Sequence, residues 1–261
     1  MNRETISYLI RLNNNFYREH GDSFFATRQS AWPGWRTLTD LLRNDPDFNL
    51  DAIRIIDLAC GNLRFLDYLS HELPKSTFNY HAVDNNPVML AYDSPSLAHS
   101  ISYQDIDILD LLLKQESLPE HLPPGTFDLS LCFGFMHHIP TEAYRIAIFD
   151  YLIQATRPGG YMVVSFWQFM NNPDMAKRAI EVSSQARQEL AGSGTELSLE
   201  QNDMILGWSN TADAYRYCHS FSQTEVDAIA SRFSGGTKTI VTYLADGRSN
   251  DLNIYLVLQK L

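Results

Sequence analysis

The chain has 261 residues, of which 44% are hydrophobic and 20% are charged, and its 31 acidic and 20 basic side chains give a net charge of −11. This length and composition exclude a disordered or collagen-like chain and indicate one large folded domain, with or without an appendage. The acidic balance argues against a broad polyanion-binding surface, because phosphate contacts need clustered positive charge. Residues 1–50 nevertheless contain six arginines, which leaves a small basic patch there as an alternative.

The distribution of apolar residues and cysteines indicates the cellular compartment of the protein. The longest run without charge, residues 158–173, is interrupted by glycines and asparagines, so no transmembrane helix is expected. The first residues lack the apolar stretch of a signal peptide. Cys60, Cys132 and Cys218 are odd in number and widely spaced, which favours neither a disulfide framework nor a zinc site. We therefore expect a cytoplasmic protein that makes no membrane contact.

Residues 1–50 predict a helical lead-in that acts as an appendage or lid. Apolar residues from Ile6 to Tyr17 recur at helical spacing, and the segment Ala31-Trp32-Pro33-Gly34-Trp35 then interrupts the helix. A second short helix is predicted to follow and to end near Arg43.

From residue 53 onward, short β-branched runs alternate with longer amphipathic stretches, the pattern of a parallel sheet covered by helices. The predicted strands are 53–59, 80–84, 101–107, 127–133 and 161–169, and the predicted helices are 63–71, 87–99, 141–156 and 224–232. Residues at about 171–220 are polar and predict a helical insertion. Two final strands, 238–243 and 252–260, are close enough to form an antiparallel hairpin. The sequence thus predicts an α/β domain over residues 51–261.

Ligands of open α/β sheets bind at the carboxyl ends of the strands, so the residues that follow each strand are candidate site residues. The first strand ends in Asp57-Leu58-Ala59-Cys60-Gly61-Asn62. Asp57 can anchor the turn or a bound cation, and Gly61 permits close approach of the backbone to a ligand. An ordinary strand-to-helix turn is the alternative interpretation.

Acidic residues also end the next two strands. Asp84 is placed to accept both hydrogen bonds of a ribose diol, although Asn85 and Asn86 beside it suit a helix cap equally well. Asp105 and Asp107 close the third strand, where a carboxylate can receive an adenine amino group. The alternation does not fix which of the two faces a ligand.

Four segments taken together resemble the class I S-adenosylmethionine-dependent methyltransferases. They are DLACGN after the first strand, the acid after the second, FDLSLCFGFMHHIP around the fourth and RPGGYMVVSF into the fifth. The resemblance covers about residues 50–170 and implies a Rossmann-like seven-stranded sheet with helices on both faces and an antiparallel hairpin at one edge. It implies S-adenosylmethionine as cofactor, held by residues drawn from Asp57, Ala59, Cys60, Gly61, Asn62, Asp84, Asn85, Asp105, Asp107 and Phe133.

The chain departs from this family in one motif. Its usual glycine triplet survives only as Gly61, with Ala59 and Leu63 at the other two positions. We expect Ala59 to be accommodated with a negative φ angle. Leu63 is expected to crowd the methionine end of the cofactor or to weaken its binding.

Two flanking segments resemble a narrower family, the tRNA wobble-uridine carboxymethyl methyltransferases. Residues 16–33 resemble the segment that precedes the sheet in that family and carries a similar SxTRxxxWP string. Residues 215–222 with Glu225 resemble its RYYHxF segment before a helix, with Cys218 in place of a tyrosine. The resemblance implies esterification of a carboxymethyl group on the wobble uridine of tRNA, commonly with a small zinc-containing activator protein. The alternatives are a small-molecule carboxyl- or O-methyltransferase and a non-catalytic methyltransferase-like scaffold.

A carboxylate acceptor is already ionised at neutral pH, so it needs orientation by positive or donating groups rather than a general base. The candidates for this catalytic role are Arg28, His138 and Arg216. Further substrate-binding candidates are Trp32, which can stack on a base, and His137, Tyr217 and His219. For His137 and His138 the alternative is that they cap the turn and do not touch substrate, and for Tyr217 and His219 it is internal hydrogen bonding. No metal is expected, because adjacent histidines project in different directions and no thiol or carboxylate partner is evident.

Overall fold

The structure is a computed structural model that describes residues 1–85, 100–192, 194–208 and 211–261, without the side chains of residues 212 and 213. The helix predicted at 87–99 lies outside the described residues. The helices are α1 (Arg3–Ala26), α2 (Gly34–Asn44), α3 (Arg64–Glu72), α4 (Ile108–Lys114), α5 (Leu118–His121), α6 (Glu142–Ala155), α7 (Pro173–Gly192) and α8 (Gln223–Arg232). None of these helices combines the length and hydrophobicity that a bilayer-crossing segment requires.

A seven-stranded sheet forms the centre of the fold, in the order β3-β2-β1-β4-β5-β9-β8. Its strands are β1 (Ala52–Leu58), β2 (Thr77–Asp84), β3 (Ser100–Asp105), β4 (Phe127–Cys132), β5 (Thr156–Trp167), β8 (Thr237–Ala245) and β9 (Asn253–Lys260). The pairs among β1 to β5 are parallel, whereas β9 runs antiparallel to both β5 and β8. This arrangement confirms the predicted α/β sheet and its terminal hairpin.

Alternation along the strands separates the core into two layers. Ile56 and Leu58 of β1 join a buried cluster with α4, α6 and α8, while Ile53 and Ile55 join another with α2 and α3. Successive side chains of a strand point to opposite faces, so the two clusters lie on the two sides of the sheet. Every residue of β4 is buried, as expected of a central parallel strand.

The predicted helical insertion is only partly correct. Helix α7 is present, but β6 (Asp203–Trp208) and β7 (Thr211–His219) follow it and form a second, antiparallel sheet. Ile205 and Tyr217 of this small sheet pack against Leu9 of α1 and Ala186 of α7. The hairpin owes its stability to these helices, because an isolated two-stranded sheet is marginal in water.

Candidate active site

The loop after β1 contains three residues in the left-handed backbone region. Ala59, Gly61 and Leu63 each have φ of 56°. The prediction of a negative φ at Ala59 is therefore wrong. Glycine adopts this conformation without strain, whereas a side chain there is disfavoured by about 1–2 kcal/mol. The two substitutions of the usual glycine triplet keep its backbone shape at a cost in strain.

Leu63 does not crowd the ligand crevice. Its side chain is 2% exposed and packs in the core cluster that contains Trp35, Phe65 and Leu66. It does not line the cavity beside the loop. The expectation that Leu63 obstructs a cofactor is therefore wrong, because the side chain points into the core.

Two acidic residues, Asp57 and Asp84, lie at the ends of β1 and β2 beside the crevice. The Asp84 carboxylate accepts a hydrogen bond from the Gly61 N–H at 2.8 Å, which fixes the loop against the end of β2. Asp57 is buried and accepts a hydrogen bond from the Tyr80 hydroxyl at 2.5 Å. Burial raises the pKa of Asp57 to about 7, against the opposing effect of the Tyr80 hydrogen bond.

A cavity of about 630 Å³ opens at these strand ends, within the range of about 300–1,000 Å³ typical of ligand sites. The predicted residues that line it are Asp57, Ala59, Cys60, Gly61, Asn62, Asp84, Asn85, Asp107, Phe133, Arg28, Trp32, His137, His138 and Arg216. Asp105, the last residue of β3, is exposed and does not line it. Of the two acids left open by the sequence, Asp107 is the one at the site.

Helix α1 lies across this cavity. The Asn14 side-chain amide donates to Asp107 at 2.6 Å, and Asp107 also caps α4 through the Asp110 N–H at 3.0 Å. Farther along α1, the Phe25 ring lies 3.5 Å from the position that a Cβ at Gly61 would occupy. The helical lead-in therefore covers the crevice from α4 to the β1 loop.

Arg28 and Arg216 line the same cavity and lie close to each other. Arg216 is 6% exposed and lies over the rings of Phe16 and Trp208, at 5.0 and 5.4 Å from the ring centroids. Arg28 lies 4.6 Å from the Phe24 centroid, and burial together with Arg216 lowers its pKa. Among the described residues neither guanidinium has a carboxylate within 4 Å, and Nη1 of Arg216 is buried without a hydrogen-bond partner. This end of the cavity favours an anionic group.

The two histidines after β4 differ in their surroundings. His137 Nδ1 is buried and has no hydrogen-bond partner within the described part of the chain. Both ring nitrogens of His138 are engaged, Nε2 with the Tyr17 hydroxyl at 2.6 Å and Nδ1 with the Tyr217 carbonyl oxygen at 3.0 Å. Burial lowers the pKa of His138 to about 3 and that of His137 well below its ordinary value. Both rings are therefore neutral at physiological pH.

Tyr217 and His219 do not reach the cavity, which corrects their prediction as substrate-binding residues. The Tyr217 hydroxyl donates to Asp203 at 2.8 Å, and His219 lies between Asp203 at 2.7 Å and Glu225 at 2.9 Å. Both side chains are at most 2% exposed. β-strand alternation directs them away from the cavity that Arg216 lines, so their role is the internal hydrogen bonding given as the alternative.

The fold does bring a thiol to the histidines, which the sequence alone did not reveal. Ligand atoms of His137, His138 and Cys218 lie within 4.8 Å of one another. His138 Nδ1 is already bonded to a carbonyl oxygen, and burial raises the pKa of Cys218 to about 11. The nearby Arg216 and Arg28 repel a cation, so the prediction of no metal stands as the expectation for this cluster.

Trp32 is held as part of an aromatic wall. It stacks on Trp35 with centroids 5.5 Å apart, and Arg64 lies 5.3 Å from its ring. Its ring edge would lie 3.1 Å from a Cβ at Gly134, which has φ of 67°. Trp32 thus closes the side of the cavity above the end of β4.

The residues at the β1 and β2 ends fit an adenosyl cofactor of the kind this fold holds. Gly61 leaves the backbone open to close approach, Asp84 faces the cavity at the position for a ribose diol, and Leu63 leaves the crevice clear. A larger concavity of about 790 Å³ lies between α7 and residues 194–204, away from all of these groups.

Comparisons with known proteins agree with this geometry. Residues 56–162 match the family model of a methyltransferase domain. A 1,6-didemethyltoxoflavin-N1-methyltransferase from Burkholderia thailandensis, solved with S-adenosylhomocysteine, is similar over 100% of this chain and 91% of its own, with 12% identity and a TM-score of 0.61. A Methanosarcina mazei S-adenosylmethionine-dependent methyltransferase matches over 82% of this chain and 94% of its own, with 16% identity and a TM-score of 0.55.

A Clostridium acetobutylicum S-adenosylmethionine-dependent methyltransferase covers 95% of this chain and 98% of its own, with 13% identity and a TM-score of 0.54. No curated protein matches the sequence. At these identities the solved structures show the fold, and the family model shows a methyltransferase domain at residues 56–162. The chain therefore contains a methyltransferase domain and has the fold of S-adenosylmethionine-dependent methyltransferases.

Proposed function

We propose that this enzyme methylates a carboxylate, and specifically the carboxymethyl group of a tRNA wobble uridine. The observation that carries the proposal is the meeting of two distant segments at one cavity wall. Arg28 belongs to the segment after α1 and Arg216 to β7, and these are the two segments whose sequences resemble the wobble-uridine enzymes. Two guanidinium groups that have no carboxylate partner in the described part of the chain suit an anionic acceptor.

S-adenosylmethionine, when bound, supplies an electrophilic methyl group. Asp84, Gly61 and Asp107, which line the same cavity as Arg216, would hold it at the strand ends. Helix α1 excludes water from above, and its Phe25 ring lies against the Gly61 backbone. Proximity and alignment of this kind are worth about 7–11 kcal/mol in reactions that need no covalent enzyme intermediate.

The acceptor end of the cavity is the part around Arg28 and Arg216. The protonation states of the histidines and the tyrosine there favour a carboxylate acceptor. His137 and His138 are poor proton acceptors at neutral pH because their pKa values are lowered by burial. The pKa of Tyr17 is raised by burial, so its phenol is neutral. A carboxylate attacks without losing a proton, whereas an amine or hydroxyl acceptor requires a general base.

The acidic surface limits the RNA contact that we propose. With a net charge of −11, the chain is expected to contact only the anticodon nucleotides around the acceptor. We therefore propose that a small zinc-containing activator protein contributes to tRNA binding or to stability of the complex.

Release of S-adenosylhomocysteine, measured with hypomodified total tRNA and in parallel with small-molecule extracts, tests the proposal. We expect turnover with tRNA and a base-labile methyl ester in the product. Arg216→Lys keeps the charge but loses the planar contact with Phe16 and Trp208, so turnover should fall by about ten-fold or more. Turnover with the extracts alone would refute the RNA acceptor, and absence of cofactor binding at millimolar concentration would favour the scaffold alternative.

A further inference from the structure

We infer that Tyr17 is the hydroxyl that contacts the reacting group of the acceptor, and that His138 is a positioning residue that sets the direction of the Tyr17 O–H bond. The inference rests on the proposed function and assigns a role to a residue of α1 that lies in the segment resembling the family but had no predicted role. Tyr17 lines the cavity together with Arg28, Arg216 and His137. The charges of Arg216, Arg28 and Asp84 all act on its phenol, so it is near both the arginine pair and the acid at the end of β2.

The hydrogen bonds of Asn13 fix the environment of the His138 ring. Asn13 Oδ1 accepts from the Tyr217 N–H at 2.7 Å, which makes the Nδ2 end of its amide the donor side. That amide nitrogen lies 3.2 Å from the Tyr217 carbonyl oxygen and 3.3 Å from His138 Nδ1. The Tyr217 carbonyl is therefore satisfied by Asn13 whether or not His138 also donates to it.

His138 can consequently carry its one proton on either ring nitrogen. With the proton on Nδ1, the ring donates to the Tyr217 carbonyl oxygen at 3.0 Å. With the proton on Nε2, the bare Nδ1 accepts from Asn13 at 3.3 Å, and the Cys218 thiol at 3.7 Å is a second donor. Neither tautomer leaves a buried polar atom of this group without a partner.

The tautomer of His138 determines the direction of its hydrogen bond with Tyr17. In the Nδ1–H form, Nε2 accepts at 2.6 Å and the phenol O–H points toward His138. In the Nε2–H form, His138 donates to the phenol oxygen and the phenol hydrogen is free to turn into the cavity. Charge is unchanged between the forms, since one proton leaves Nδ1 as one is gained at Nε2.

An anionic acceptor selects the second form. A carboxylate needs donors, and the Tyr17 O–H would join the guanidinium groups of Arg28 and Arg216 as a third. The ring itself does not take up the acceptor's charge, because burial keeps His138 neutral. His138 thus acts on the acceptor only through Tyr17.

Kinetics with a tRNA that contains carboxymethyluridine form the first test. Tyr17→Phe removes the donor and should lower kcat/KM for the tRNA by about 10- to 100-fold, while cofactor affinity measured by calorimetry stays within two-fold. Tyr8→Phe is the matched control, since Tyr8 is on the same helix but packs in the cluster around Leu9. His138→Leu should reproduce the Tyr17→Phe loss, and His138→Gln, which keeps a donor and an acceptor, should restore part of it.

The second test measures the tautomer of His138 directly. A His138 with only a structural role would keep the same tautomer when the acceptor binds. In protein labelled with ¹⁵N-histidine, with the His138→Gln variant used for assignment, we expect the Nδ1–H form in the free enzyme. Addition of S-adenosylhomocysteine and the tRNA should convert it to the Nε2–H form. An unchanged tautomer, or wild-type kcat/KM in Tyr17→Phe, would overturn the inference while leaving tRNA turnover intact. Failure of the wild-type enzyme to methylate any carboxylate would instead refute the proposed function, and this inference with it.

Discussion

Replacement of Asp57 by asparagine should change how the stability of the fold depends on pH. Asp57 is 3% exposed, and its carboxyl group at the end of β1 is bonded to the Tyr80 hydroxyl. Burial raises its pKa from 3.8 to about 7 in the folded protein. An acid with a raised folded pKa is more protonated in the folded state, so it contributes stability at low pH that is lost as the pH rises toward 7.

The magnitude follows from the two pKa values of Asp57. A shift from 3.8 to about 7 costs roughly 4 kcal/mol once the group is ionised in both states, at about 1.4 kcal/mol per pKa unit. Between pH 5 and pH 8 the change in the free energy of unfolding is about 2.6 kcal/mol, because the unfolded carboxyl is already ionised at pH 5. Asp57→Asn retains an oxygen for the Tyr80 hydrogen bond but does not titrate.

Urea unfolding at pH 5, 6, 7 and 8 measures the effect. We expect the wild type to lose roughly 2–3 kcal/mol relative to Asp57→Asn across this range. Asp128→Asn is the control and should run parallel to the wild type from pH 5 to pH 8, because hydrogen bonds from Arg54 and Arg157 lower the pKa of Asp128 despite its partial burial. The stabilisation by Asp128 is present above pH 4 and is lost only below it. Parallel pH profiles for wild type and Asp57→Asn would refute the reasoning.

Two further changes test the cofactor crevice and the second helix. Asp84→Ala should raise the dissociation constant of S-adenosylmethionine about 100-fold or more, measured by calorimetry, since it removes a charged acceptor for two hydroxyls; unchanged affinity would disprove that role. Gly34→Ala should lower the free energy of unfolding by about 1–3 kcal/mol, because its Cβ would lie 2.4 Å from the Tyr255 ring. Gly235→Ala, which meets nothing within 4 Å, is the matched control, and equal losses in the two variants would contradict the packing argument.

The central sheet was predictable because its signals are local. β4 is buried along its whole length and β1 from Ile55 to Leu58, and the Thr141 side chain caps α6 through the Tyr144 N–H. The cofactor loop could be located for the same reason, since it directly follows a recognisable strand. Its backbone angles could not, because Ala59 and Leu63 adopt a conformation that their residue types disfavour.

The small sheet and the acceptor end depend on contacts between distant segments. Residues 203–219 were assigned to a helical insertion, yet they pair as β6 and β7 against α1 and α7. The resemblance of residues 215–222 to the RYYHxF segment predicts Tyr217 and His219 as substrate-binding residues. Only the hairpin pairing shows that they are directed toward Asp203, whereas Arg216 between them in the chain lines the cavity. No local pattern in the sequence carries that information.

Electrostatic repulsion between Arg28 and Arg216 favours the binding of an anion at the acceptor end. Burial and the nearby Arg216 lower the pKa of Arg28, and the Phe24 ring lies against both guanidinium groups. A cation over a ring gains about 0.5–2 kcal/mol, which compensates in part for a buried charge without a counter-ion. Asn13 holds this arrangement by joining α1 to the Tyr217 backbone, next to Arg216. An anion bound between the two arginines would remove the repulsion that the fold maintains, so part of the binding free energy of the acceptor comes from strain already present in the free enzyme.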